Sequence, residues 1–206
     1  MNAVYHAQLS AKKRGGIMED YLSIHEFMDS TKELCSDNRH RILHTMWGIK
    51  RVVMPIFGHT IQNSAGKAIN VKDLCEQDHI LPDYRNRFIP TLTDFVRAID
   101  LSTAQHLDFK SFQEIYKHNP AMQELMLSPV SNTGYRASLL VTHNSWFVNE
   151  ILPKIFPHNA ALQIPIMHDG IISPSELFNN MNFLLWMDNG SAYPPSCNKT
   201  VARIVV

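Results

Sequence analysis

Three stretches of this sequence have the apolar spacing of buried helices, and each gives interior places to imidazole or carboxylate. In "EDYLSIHEFMDSTKEL" (19–34), Tyr21, Ile24, Phe27, Met28 and Leu34 recur at helical intervals, with His25 and Asp29 four apart among them. In "RHRILHTMWGIKRVV" (39–53), His40 and His44 stand four apart among Ile42, Leu43, Met46, Ile49, Val52 and Val53. In "VKDLCEQDHI" (71–80), Glu76 and His79 stand three apart. Residues three or four apart on an α-helix share a face, with Cβ atoms about 5–6 Å apart. A fold that buries these helices must therefore give the polar pairs partners, either one another or a metal ion.

The remaining local signals fit a mainly α fold. A first helix is predicted over 3–14, stopped by Gly15-Gly16, which accept a left-handed C-cap. A second is predicted over 19–35, with Glu19 and Asp20 at its positive end. A third begins near Asp37 or Asn38 and runs toward Pro55. "HTIQNSAGKAINVKD" (59–73) reads as a short hairpin turning at Asn63-Ser64-Ala65-Gly66, and a helix follows near 71–81. Thr91 caps a further helix through Ile99, with Asp94 in a capping-box position.

Beyond it, 108–118 and 120–127 read as helices, and 137–156 as a strand and helix or one helix broken at Pro153. A well-capped helix start at Ser173-Pro174 and a terminal strand "VARIVV" complete the reading. The fold class expected is mainly α: a helical N-terminal domain with a small β-hairpin insert, plus an α or α+β C-terminal unit.

Charge separates the halves. Residues 1–100 hold 13 Lys/Arg and 12 Asp/Glu, whereas 101–206 hold 6 and 7 together with ten of the fifteen asparagines. The division expected is a His-rich helical domain over 1–100 and a low-charge domain over 101–206. Net charge is zero, so no overall field calls for nucleic acid or a membrane. Cys35, Cys75 and Cys197 are odd in number and widely spaced, which fits a reducing interior better than a disulfide scaffold. The start lacks the apolar core of a signal peptide, and no window reaches the roughly 18 apolar residues of a spanning helix. A cytoplasmic protein is expected, in a bacterium or inside an infected one.

Most catalytic signatures are absent. "NSAGKAIN" lacks phosphate-loop spacing, and no GxSxG, HExxH or GxGxxG occurs. His143 and Ser145 in "THNSW" stand two apart and do not face each other on a helix. His168-Asp169 in "IMHDG" reads as a turn before Gly170.

The helical pairs are what remain. If the second and third helices pack antiparallel, His25, Asp29, His40 and His44 face one pocket, with His6, His79 and Asp83 as additional candidates. Imidazole and carboxylate suit a divalent transition metal, zinc or manganese/iron. A metal-bound water would then be activated, with Glu76 as base. Against this, any one of these histidines can be structural, and Asp29 can pair with Lys32, Arg39 or Arg41 instead.

The series "HAQLSAKKRGG", "EDYLSIHEFMDSTK", "RHRILHTMWGI", "FGHTIQNSAGK" and "IPTLTDF" resembles an uncharacterised family of small bacterial and phage-encoded domains, over residues 4–99. The resemblance implies that His6, His25, Asp29, His40, His44 and Glu76 occupy motif positions. The chain departs from that pattern at "EQDHILPDYRNRF", where Asp78 stands between Gln77 and the histidine, and Phe27 and Phe95 stand where tryptophan is usual.

Two functions follow. One is a phage or bacterial accessory protein with a helical His/Asp metal site and metal-dependent hydrolase activity. The other is a non-enzymatic interaction factor that binds a host protein through its low-charge half, using Trp146, Trp186 and Tyr193, with a structural histidine cluster. A homo-oligomer is compatible with either. Nucleic-acid binding through Lys12, Lys13, Arg14, Arg39, Arg41, Lys50 and Arg51 ranks behind both, because twelve acids are interleaved in the same half.

Overall fold

The computed structural model describes residues 2–30, 42–96, 116–129, 141–143 and 146–158. They are mainly helical, with one two-stranded antiparallel hairpin. They fall into two compact units, one within Met1–Thr91 and the other within Leu92–Gly190.

In the first unit, α1 (Ala3–Arg14) starts at Asn2, whose side chain accepts from the Tyr5 N–H at 2.9 Å. It ends at Gly15, where φ is 83°. Helix α2 (Glu19–Met28) packs along α1 and carries Tyr21, Ile24, His25 and Met28 on its buried face. The α-helix stops at Met28 and Asp29 takes the C-cap, so residues 29 and 30 leave the helix expected through 35; 31–35 lie outside the described residues.

The third predicted helix is corrected more sharply. Among the described residues, Ile42 is 3₁₀-helical, 43–45 form a turn, and α-helix starts at Met46; 37–41 lie outside the described residues. Thr45 explains the late start: its hydroxyl donates to the Ile42 carbonyl at 2.8 Å and accepts from the Gly48 N–H at 3.1 Å. The turn folds back so closely that a Cβ at Gly48 would lie 2.6 Å from Leu43 Cα. α3 (Met46–Gly48) then runs through a π-helical stretch, Ile49–Val53, into α4 (Met54–Phe57). His44 therefore sits in the turn before α3.

The hairpin forms as read. β1 (Thr60–Gln62) pairs with β2 (Ala68–Asn70) in the register Thr60↔Asn70, Ile61↔Ile69, Gln62↔Ala68. Its turn docks on the α1–α2 corner, where the Asn63 amide donates to the Tyr21 hydroxyl at 3.0 Å and Ser64 donates to Asp20 Oδ2 at 2.8 Å. Then come α5 (Val71–Leu74), a π-helical turn over Cys75–Ile80 that packs on α1, and α6 (Leu81–Asp83).

In the second unit, α7 (Leu92–Val96) lies within the helix expected from Thr91. α8 (Pro120–Leu127) matches its reading and starts at Asn119, which accepts from the Met122 N–H at 3.1 Å. Over 137–156, a π-helical Phe147–Ile151 leads into α9 (Leu152–Ile155), where Pro153 stands in the first turn rather than breaking a helix. Trp146, expected as an exposed contact residue, is only 8 % exposed and packs edge-on against Phe147. The readings at 173–188, "VARIVV", Trp186 and Tyr193 lie outside the described residues.

Candidate metal centre

Four elements of the first unit converge where α1, α2, the 43–45 turn and the 75–83 segment meet. His6 comes from the second turn of α1, Asp29 from the end of α2, His44 from the turn, and His79 and Asp83 from the last segment. The three histidines are at most 1 % exposed.

His6 Nδ1 lies 2.8 Å from the backbone oxygen of Asp78. A carbonyl only accepts, so Nδ1 carries a hydrogen. The ring's Nε2 is 3.2 Å from Asp83 Oδ1, yet it makes no hydrogen bond of proper geometry among the described residues. A ring nitrogen thus faces a carboxylate oxygen in a buried place, an arrangement that a proton or a cation between them satisfies.

His79 sits at the centre. Its ring stacks on His6, with centroids 4.0 Å apart, and its Nε2 is 2.8 Å from His44 Nε2 and 3.5 Å from Asp29 Oδ1. His44 Nε2 is also 3.6 Å from Asp29 Oδ1 and 3.4 Å from Asp83 Oδ2. Two sets of side chains follow, His6–His79–Asp83 and Asp29–His44–His79, each with ligand atoms within 4.8 Å of one another. Both could hold a metal ion, since bonds of about 2.0–2.2 Å bring opposite ligands to roughly 4 Å apart.

The electrostatics suit ligation. Burial, reinforced by the neighbouring His44, holds His79 well below the ordinary imidazole range. Burial opposes the charge of Asp83, but the imidazoles of His44 and His6 outweigh it and hold the carboxyl well below the usual carboxylate range. Neutral imidazole and ionised carboxylate are the forms a metal binds. Cys75 is no competitor: it is buried, and burial pushes its thiol up, away from thiolate.

Residues 1–104 match the family described as Domain of unknown function (DUF6915). The chain belongs to that family. No curated protein and no solved structure matches it. The family domain ends beyond all the residues of the centre, and no helix among its described residues is long and apolar enough to cross a membrane.

Of the residues singled out by spacing, Asp29 and His44 lie in one ligand set, and the additional candidates His6, His79 and Asp83 complete the two. His25 is adjacent but belongs to neither: its Nε2 meets Ser10 Oγ at 2.9 Å and its Nδ1 meets His79 Nδ1 at 2.8 Å. Burial and then His6 push His25 down to about 3. Glu76 also belongs to neither, and its carboxylate closes on Lys72 at 3.0 Å. In the π-turn, hydrogen bonds reach five residues rather than four, so Glu76 and His79 do not share a face as in an α-helix. His40 lies outside the described residues.

The same π-turn takes up Asp78, the residue that interrupts the motif series. Its buried carboxylate pairs with Arg14 and, at 3.2 Å, with Lys13, while its carbonyl holds His6. Two of the cations considered for nucleic acid are thereby engaged inside the domain. Ser10 was missed by sequence reasoning, although its place four residues after His6 on α1 puts both on one face.

Proposed function

We propose that the family domain binds one divalent transition metal, zinc or manganese/iron, through His6, His44, His79, Asp29 and Asp83, and uses it in hydrolysis. The observation that carries this is the buried His6 Nε2, 3.2 Å from Asp83 Oδ1 without a hydrogen bond of proper geometry, beside the converging His44 and His79 nitrogens. Three imidazoles and two carboxylates form the mixed donor set that such ions accept. The ion would lower the pKa of a bound water. Asp83, whose side chain is 15 % exposed against 9 % for Asp29, is the carboxylate better suited to exchange a proton with solvent. Glu76 can serve as base only when its pair with Lys72 opens.

Metal analysis of protein purified without an affinity tag tests the binding. The expectation is near one equivalent after exposure to zinc or manganese; less than about a tenth of an equivalent sinks it. A second reading, a closed site that only knits the helices together, is favoured by the burial of all three histidines. An Asp83→Asn variant separates the two. Loss of hydrolysis in a protein of unchanged stability supports catalysis, and equal loss of stability supports the structural site.

A further inference from the structure

We propose that Ser10 and His25 are positioning residues that lock His79 into one tautomer, with hydrogen on Nδ1 and the Nε2 lone pair offered to the ion. The inference rests on the metal reading above and adds the groups that orient its central ligand.

The chain of hydrogen bonds has one direction, set by a single hydroxyl. Ser10 Oγ donates to the His6 carbonyl at 3.1 Å, and a serine hydroxyl has only one hydrogen to give. Its contact with His25 Nε2 at 2.9 Å must then be one in which Ser10 accepts, so His25 carries its hydrogen on Nε2. His25 is fully buried and its ring nitrogens meet only the Ser10 hydroxyl and the His79 ring among the described residues, with no carboxylate to hold a second proton, so its Nδ1 is bare. The 2.8 Å contact between His25 Nδ1 and His79 Nδ1 then requires His79 to donate. With Nδ1 committed to His25, Nε2 is the nitrogen left for the ion, where it meets His44 Nε2 and Asp29 Oδ1.

Metal-ligating histidines usually give their second N–H to an oxygen acceptor, which fixes ring and tautomer. Here an imidazole takes that role, and its own tautomer is fixed one step further out. The chain ends on a backbone carbonyl, which accepts a hydrogen bond but passes no proton on. It therefore orients His79 and does not conduct protons. Because the terminal carbonyl belongs to His6, the same chain ties His79 to the backbone that carries another ligand.

Long-range proton–nitrogen correlation spectra of metal-free, 15N-labelled protein read the tautomers directly. The expected spectra show Nε2–H on His25 and Nδ1–H on His79; either ring reversed overturns the lock. Zinc and manganese affinities, by chelator competition, then follow for His25→Phe and His25→Asn. Removing the acceptor in His25→Phe should weaken binding about 10–100-fold. His25→Asn, whose amide oxygen can still accept from His79, should recover most of that loss. Unchanged affinity in His25→Phe overturns the positioning role. If wild-type protein shows the expected tautomers but takes up neither metal, the metal reading falls while the lock stands.

Discussion

His143 in the second unit and His79 in the first are both fully buried, and burial keeps both rings neutral. Around His143 every hydrogen has a destination. Thr142 Oγ1 donates to the Met126 carbonyl at 2.8 Å and accepts from His143 Nδ1 at 2.9 Å, and the Tyr116 hydroxyl donates to Nε2 at 2.5 Å. Those contacts need nothing from outside the protein. Around His79, a chain of the same kind ends instead on nitrogens and carboxylate oxygens that mostly accept. Burial of an imidazole is thus no mark of function by itself; the informative quantity is the balance of donors and acceptors around its second nitrogen.

Adding metal should separate the two regions most strongly. Zinc or manganese at about a hundred times its dissociation constant should stabilise the first unit by about 3 kcal/mol, and an Asp29→Asn/Asp83→Asn variant should gain nothing. Hydrogen exchange read separately over 42–83 and 120–155 checks this, and equal protection in both units would break the contrast.

Acid should act next, and on the saturated side. Burial pushes His143 down to about 3, against 6.5 for the free side chain. The unfolded chain therefore binds the proton first, so this contribution is full above about pH 6.5 and is lost as pH falls toward 3. At pH 5 the loss should reach about 2 kcal/mol. Urea unfolding of the second unit at pH 7.5 and 5.0 measures it. A His143→Gln variant showing the same pH slope would assign the effect elsewhere.

Tyr116→Phe should cost roughly 1–2 kcal/mol, because it leaves His143 Nε2 buried without its donor, and metal uptake should not change. Altered metal content in that variant would count against treating the regions as independent. The smallest effects should be equal ones. Asn2→Ala and Asn119→Ala remove matching helix N-caps, one in each unit, and each should cost about 0.5–1 kcal/mol by thermal melts with metal binding intact.

Helix α1, the hairpin and its turn, and α8 were legible because their signals are local: caps, turn residues and apolar spacing within a few positions. The limits of the third helix were not, since Thr45 and the close approach over Gly48 overrode a strong helical pattern. Nor was the π-turn at Cys75–Ile80, which changes which of Glu76 and His79 faces the cluster. Spacing nominated His25, Asp29, His40 and His44 with Glu76 as base and His6, His79 and Asp83 as additional candidates, and the two groups that could hold a metal draw on Asp29 and His44 and on all three additional candidates. Ligand spacing along one helix says which side chains can converge, while the choice among them depends on elements far apart in the chain.

By itself the sequence determined that this protein is mainly helical, that it belongs with an uncharacterised family, and that imidazole and carboxylate had to be buried in its first hundred residues. The helical character and the buried polar groups follow from composition and short-range periodicity, and the family from the series of motifs. Only the tertiary structure decided which nitrogen of each ring is engaged. That choice is made by a carbonyl 72 residues from His6 in sequence and a hydroxyl 15 residues from His25, groups that meet only when the helices pack.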